Sequence, residues 1–160
     1  MNKTLEKHFT ASAIIIVDNR ILLVWHEILK VWLYPGGHRE NNESLDETVV
    51  REVWEETGLL AEIIGEKDEN ISDPVADVSV LHNPYITLCE LSGDHYNVDL
   101  VYRCRIKDDF MAENAVWNTE KMGFFSLDDL EKMELLPNFR KLVKKVFSES
   151  LQDQFAQRDA

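Results

Sequence analysis

Glu52, Glu55 and Glu56 stand three and four residues apart in the stretch GHRENNESLDETVVREVWEETGL, residues 37–59. In a helix, that spacing puts all three carboxylates on one face. Like charges so placed repel by roughly 0.2–0.5 kcal/mol per exposed pair, and by more when partly desolvated. They also fall toward the C-terminal end of the helix, where the macrodipole disfavours anions. A hard divalent cation resolves both conflicts, because Mg²⁺ favours carboxylate oxygens and keeps coordination sites for water and phosphate. As a bare trio, a solvated acidic face is the simpler explanation, so the residues around them decide.

The elements that must position these acids are legible. Ser44 with Glu47 three residues later is a capping-box pattern, and Gly58 is placed just beyond a C-terminus. Leu45, Val49 and Val53 recur every four residues and give the helix a buried stripe. Upstream, the apolar runs Phe9–Val17 and Ile21–Trp25 flank Asp18-Asn19-Arg20, a hairpin-like signal. Leu33-Tyr34-Pro35-Gly36-Gly37 is expected to break regular structure, because Pro lacks an amide donor and paired Gly permits unusual dihedrals. Downstream, Leu59–Ile64 reads as a short strand and Asn70–Ala76 as a loop. Val80–Leu91 and Tyr96–Ile106 read as longer strands joined by Ser92-Gly93-Asp94-His95. Gly123-Phe124-Phe125 suggests a last strand, and Ser126 opens a small helix. A final helix begins near Pro137. Phe139, Leu142, Val143, Val146 and Phe147 form its apolar face; Arg140, Lys141, Lys144 and Lys145 form a basic face that reads as solvated surface.

With 160 residues, 44% apolar and 29% charged, the chain reads as one globular domain. A formal charge of -13 argues against nucleic-acid binding and against an anionic membrane surface, both of which rely on clustered Lys and Arg. The longest apolar run near the start, Ala13–Val17, is far shorter than an export signal or a membrane span. Cys89 and Cys104 therefore read as reduced thiols in a cytoplasmic protein, packed in two strands that can be sheet neighbours.

Gly37, five residues, Glu43, seven residues and then Arg51-Glu52-Val53-Trp54-Glu55-Glu56-Thr57-Gly58-Leu59 match every position of the signature box of the Nudix hydrolase family. Seven fixed identities at ~5–7% usage make a chance match roughly a one-in-a-million event. The chain thus resembles that family, and the resemblance covers almost its whole length. It implies an α+β Nudix fold, a three-layer α/β/α sandwich around a mixed sheet, as one domain over residues 1–160 with a core of about 8–148. It implies Mg²⁺ or Mn²⁺ held by Glu52, Glu55, Glu56 and the Gly37 carbonyl, with Arg51 paired to Glu43 or Glu55. The implied reaction is attack of water on phosphorus in a diphosphate linkage. Glu52 or Glu56 in the box, or Glu113 or Glu120 outside it, is the general base.

The resemblance implies a small nucleotide-type substrate: a nucleoside di- or triphosphate, or another nucleoside diphosphate derivative. The added signatures of coenzyme A and NADH pyrophosphatases are not matched. Pro74, sixteen residues after Gly58, resembles a position of ADP-ribose pyrophosphatases and keeps a nucleotide-sugar alternative open. His95–Tyr102 resembles a strand entry that names no substrate. Trp25, Trp32 and Tyr34 are candidates for stacking on a base, and His38 for touching a phosphate. Many relatives are homodimers. A non-catalytic nucleotide-binding regulator on this fold usually lacks box carboxylates, none of which is missing here. An isomerase would need a Cys beside the metal, and no motif places Cys89 or Cys104 there.

Overall fold

The computed structural model describes residues 5–107 and 119–158. The chain forms two compact units: Met1–Ile15 with Tyr34–Val116, and Ile16–Leu33 with Trp117–Ala160.

In the first unit a mixed sheet is built on β1 (Glu6–Val17) and β7 (His95–Ile106), which run parallel in register from Glu6 opposite His95 to Ile15 opposite Cys104. β4 (Gly36–His38) pairs antiparallel with the other edge of β1, setting Thr10 opposite His38 and Ala11 opposite Gly37. β5 (Ala61–Ile63) and β6 (Ile86–Ser92) both run antiparallel to β7. Helix α1 (Leu45–Thr57), the one long helix among the described residues of this unit, has Ser44 as N-cap with the complete capping box to Glu47. It ends on Gly58 at φ 70, a left-handed conformation that glycine adopts without Cβ strain. Val49 and Val53 are fully buried, as the four-residue repeat requires.

Two expectations are corrected here. Gly36 and Gly37 do not interrupt regular structure; they are strand residues of β4. A short strand, β3 (Val31–Leu33), likewise includes Leu33. The glycines serve close approach: a Cβ on Gly36 would meet the Ser12 hydroxyl and lie 2.7 Å from the Ala11 carbonyl oxygen. The strand expected from Val80 begins only at Ile86, because His82 is drawn to α1, where its amide donates to both oxygens of Asp46.

In the second unit β2 (Arg20–His26) continues from the end of β1 through Asp18 and Asn19, at φ 48 and 57. Positive φ at both loop residues marks a two-residue hairpin whose twist suits the strands. β2 pairs antiparallel with β3 and with β8 (Met122–Phe125). Trp25 and Trp32 pair across β2 and β3, and Trp32 also packs edge-on against Phe125. Helix α2 (Leu127–Lys132) starts at Ser126 with a second capping box. In α3 (Pro137–Arg158), Phe139, Leu142, Val143, Val146 and Phe147 are all buried. Its basic face is more than solvated surface: Arg140 donates to the carbonyls of Leu130 and Met133, closing the C-terminal end of α2. Lys144 pairs with Glu131 at 2.7 Å.

The two cysteines are free thiols. They are not sheet neighbours: Cys89 lies opposite Val98, whereas Cys104 lies opposite Ile15 and Ile63. No helix among the described residues is long and apolar enough to cross a membrane.

Candidate active site

The box residues gather where β4 meets the face of α1. Gly37 lies against Glu52, so that a Cβ at this position would stand 2.5 Å from the Glu52 carboxylate. One residue earlier, the Gly36 amide donates to Glu56 Oε2 at 2.9 Å. Gly37 thus lets the strand backbone approach Glu52, while the amide of Gly36 reaches Glu56 one helical turn on.

Arg51 organises the opposite side. Its Nε and Nη2 donate to the two oxygens of Glu43 at 3.0 and 2.8 Å, a bidentate pair. Nη1 donates to Glu52 at 2.9 Å and to Glu55 at 3.0 Å, and Nη2 also donates to the His38 carbonyl. The sequence leaves Glu43 and Glu55 as alternative partners; the structure uses both and adds Glu52. Glu43 is fixed further by the Glu40 amide and the Thr48 hydroxyl. These donors, Arg51 foremost, pull its carboxyl down to about 2.

Glu52 and Glu56 have the opposite electrostatics. Glu52 is raised above its ordinary value, first by desolvation and then by the charges of Glu55 and Glu43, against the pull of Arg51. Glu56 is raised to about 7, again chiefly by desolvation, with Glu52 and Glu55 adding to it and the Gly36 amide opposing. Glu56 as a residue is exposed, but its carboxylate turns back toward the Gly36 backbone. Among the described residues no ion pair reaches Glu56. The donor set is therefore carboxylate oxygen, locally over-negative and incompletely compensated by Arg51, which fits a hard divalent cation.

Sequence reasoning missed a second polar cluster in this unit. Asp99 on β7 is buried and accepts hydrogen bonds from Thr10, Ser12 and Tyr34 at 2.9, 2.9 and 3.1 Å. Burial raises its carboxyl, and the three hydroxyls oppose that shift. Alternation along β7 puts Asp99 on a defined face, but its donors lie far away in sequence. Tyr34 thus has a hydrogen-bonding role at Asp99, just before the Gly36-Gly37 approach. His38 is exposed. Pro74 lies in an exposed turn closed by pairing of Asp73 with Val78. Glu120 is exposed in the second unit, and Glu113 lies outside the described residues.

A family model described as the NUDIX domain matches residues 6–146. The Phosphatase NudJ of Escherichia coli strain K12 is 37% identical over 57 residues, which cover 34% of this chain and 37% of that protein. The match thus spans little more than a third of that relative's length. Among solved structures, a NUDIX-family hydrolase from Clostridium perfringens is similar with a TM-score of 0.70 and 26% identity, over 92% of this chain and 98% of that one. A UDP-X diphosphatase shares the fold with a TM-score of 0.58 and 19% identity, over 94% of this chain and 66% of that one. The mixed sheet, the capped glutamate helix and a domain match reaching from β1 into α3 lead to one assignment: the chain belongs to the Nudix hydrolase family and has its α+β fold.

Proposed function

We propose that this protein is a Mg²⁺-dependent hydrolase, able to use Mn²⁺, that cleaves a diphosphate linkage in a nucleoside di- or triphosphate or a related nucleoside diphosphate derivative. We propose further that it does so as a single domain in the cytoplasm. The observation that carries the reading is the pairing of Gly36-Gly37 with Glu56 and Glu52, which concentrates negative charge that Arg51 only partly offsets.

Glu52, Glu55 and Glu56, with the Gly37 carbonyl, would hold the metal. When bound, the divalent ion supplies neutralisation of the diphosphate oxygens and a lowered pKa for water. The chain's own residues set up that chemistry. Arg51 holds Glu52 and Glu55 in position while Glu43 anchors Arg51 in turn. Glu56 and Glu52 are the box candidates to accept a proton from attacking water; the rise of Glu56 to about 7 belongs to the metal-free chain, and a bound cation would hold its carboxylate ionised. The Gly36 amide fixes one oxygen of Glu56 and leaves the other available.

A mass-spectrometric product assay over nucleotides and nucleotide sugars, run in ¹⁸O-labelled water with Mg²⁺, tests this reading. It should show label in one phosphorylated product and so report both the scissile bond and the phosphorus attacked. Absence of Mg²⁺-dependent turnover across the panel, together with tight nucleotide binding, would favour a binding module.

A further inference from the structure

Three histidines meet on the side of the first unit's sheet that α1 does not occupy. Ala11 pairs with Gly37, and the missing Cβ of Gly37 points at Glu52, so that side of β1 belongs to α1. Strand alternation sends His8, Thr10 and Ser12 to the other side. His38 is opposite Thr10 and therefore shares that side. His95, two residues before the partner of His8 on β7, shares it too.

The imidazoles converge from three adjacent strands. The ring of His8 stacks on His95 at 4.8 Å between centroids and meets His38 edge-on at 5.3 Å. One ligand nitrogen from each ring lies within 4.8 Å of those from the other two. Closing onto metal bonds of ~2.0–2.1 Å asks for rotation of side chains on a fixed sheet. Carboxylates stand beside two of the rings, Glu6 at 3.4 Å from His8 Nε2 and Asp94 at 3.2 Å from His95 Nδ1. Such acceptors orient a metal-binding imidazole and supply negative charge that the ring lacks. A cleft of about 380 Å³ lined by Lys7, His8, Phe9, His38 and Arg39 adjoins the cluster.

We propose that His8, His38 and His95 form a second metal site, selective for a borderline transition-metal ion such as Zn²⁺, Co²⁺ or Ni²⁺ and separate from the box glutamates. The donor chemistry sets the class: imidazole nitrogen suits these ions, whereas Mg²⁺ prefers carboxylate oxygen. Three protein ligands leave a coordination position for water or an anion. The inference extends beyond the hydrolytic reading and does not rest on it.

Titration of the full chain with Co²⁺, followed by visible absorption and calorimetry in excess Mg²⁺, provides the test. One Co²⁺ should bind per chain, and Zn²⁺ should displace it. Binding should persist in Glu56→Gln and weaken at least ~10-fold in the double variant His8→Gln/His95→Gln. If that variant fails to fold, His38→Gln, at an exposed strand position, carries the same expectation. Unchanged affinity in the histidine variants overturns the site, as does loss of Co²⁺ in Glu56→Gln or on adding Mg²⁺, since the ion would then belong to the carboxylates.

Discussion

The Gly36 amide donates to Glu56 Oε2 at 2.9 Å, tying the strand that enters the box to the last turn of its helix. This contact favours ionised Glu56, yet desolvation and the neighbouring Glu52 and Glu55 carboxylates outweigh it and leave the group at about 7, above the ordinary 4.5. The folded, metal-free chain therefore holds this proton more tightly than the unfolded chain. Its contribution to stability is fully present below pH 4.5 and is lost as pH rises through about 7. Thermal unfolding in EDTA should show a Tm decline across that window that Glu56→Gln reduces. Mg²⁺ binding should release protons near pH 7 and tighten as pH rises through it, which calorimetry in buffers of different ionisation enthalpy reads directly.

Glu43 should act in the opposite direction at lower pH. Its folded value of about 2, set first by Arg51, means stability present above 4.5 and lost as pH falls toward 2. Arg51→Gln removes the guanidinium shared by Glu43, Glu52 and Glu55 and leaves Glu43, 14% exposed, without its bidentate partner. A loss on the order of 3 kcal/mol in metal-free urea unfolding is expected. Arg51→Lys should recover only part of it, because an ammonium cannot reproduce the fork.

The two glycines should separate stability from activity. At Gly36 an added Cβ meets backbone, 2.7 Å from Ala11 O and from Ser12 Cα, so Gly36→Ala should destabilise by about 1–3 kcal/mol. At Gly37 the obstacle is the end of the Glu52 side chain, which can swing aside. Gly37→Ala should keep most of its stability while losing Mg²⁺ affinity and turnover. Parallel unfolding and metal-binding curves check the contrast.

Replacing Asp99 tests the buried hydroxyl cluster. Asp99→Leu deprives Thr10, Ser12 and Tyr34 of a shared acceptor and should cost about 1–3 kcal/mol or more in urea unfolding. Thr10→Val, which removes a single donor, should cost less.

What could be read from the chain alone follows the range of the interactions involved. Helix α1 was legible from end to end because its stops are local: Ser44, Glu47 and Gly58 act within a turn or two of themselves. Strand β4 was hidden because Pro35-Gly36-Gly37 carries a turn-like local signal, while the reason for two glycines is a nonlocal approach to Ser12 and Glu52. Val80–Tyr85 has strand-like composition, but His82 bonds Asp46 thirty-six residues away. The pairing of Cys89 with Val98 follows from the register of Ser92 opposite His95, one residue of which changes every partner. At the site, the spacing placed Glu52, Glu55 and Glu56 on one helical face next to Arg51. That Arg51 serves Glu43, Glu52 and Glu55 together required the fold.

We infer that the over-negative end of α1 is metal-dependent hydrolytic machinery. The most direct test compares turnover of wild type and Glu56→Gln in Mg²⁺ on a nucleotide found by the product assay. The expected result is Mg²⁺-dependent release of a phosphorylated product by wild type, and a rate at least ~100-fold lower in a Glu56→Gln protein that remains folded. Equal rates in the two proteins, or no Mg²⁺-dependent turnover by wild type on any nucleotide, would rule out a hydrolytic role for this end of the helix.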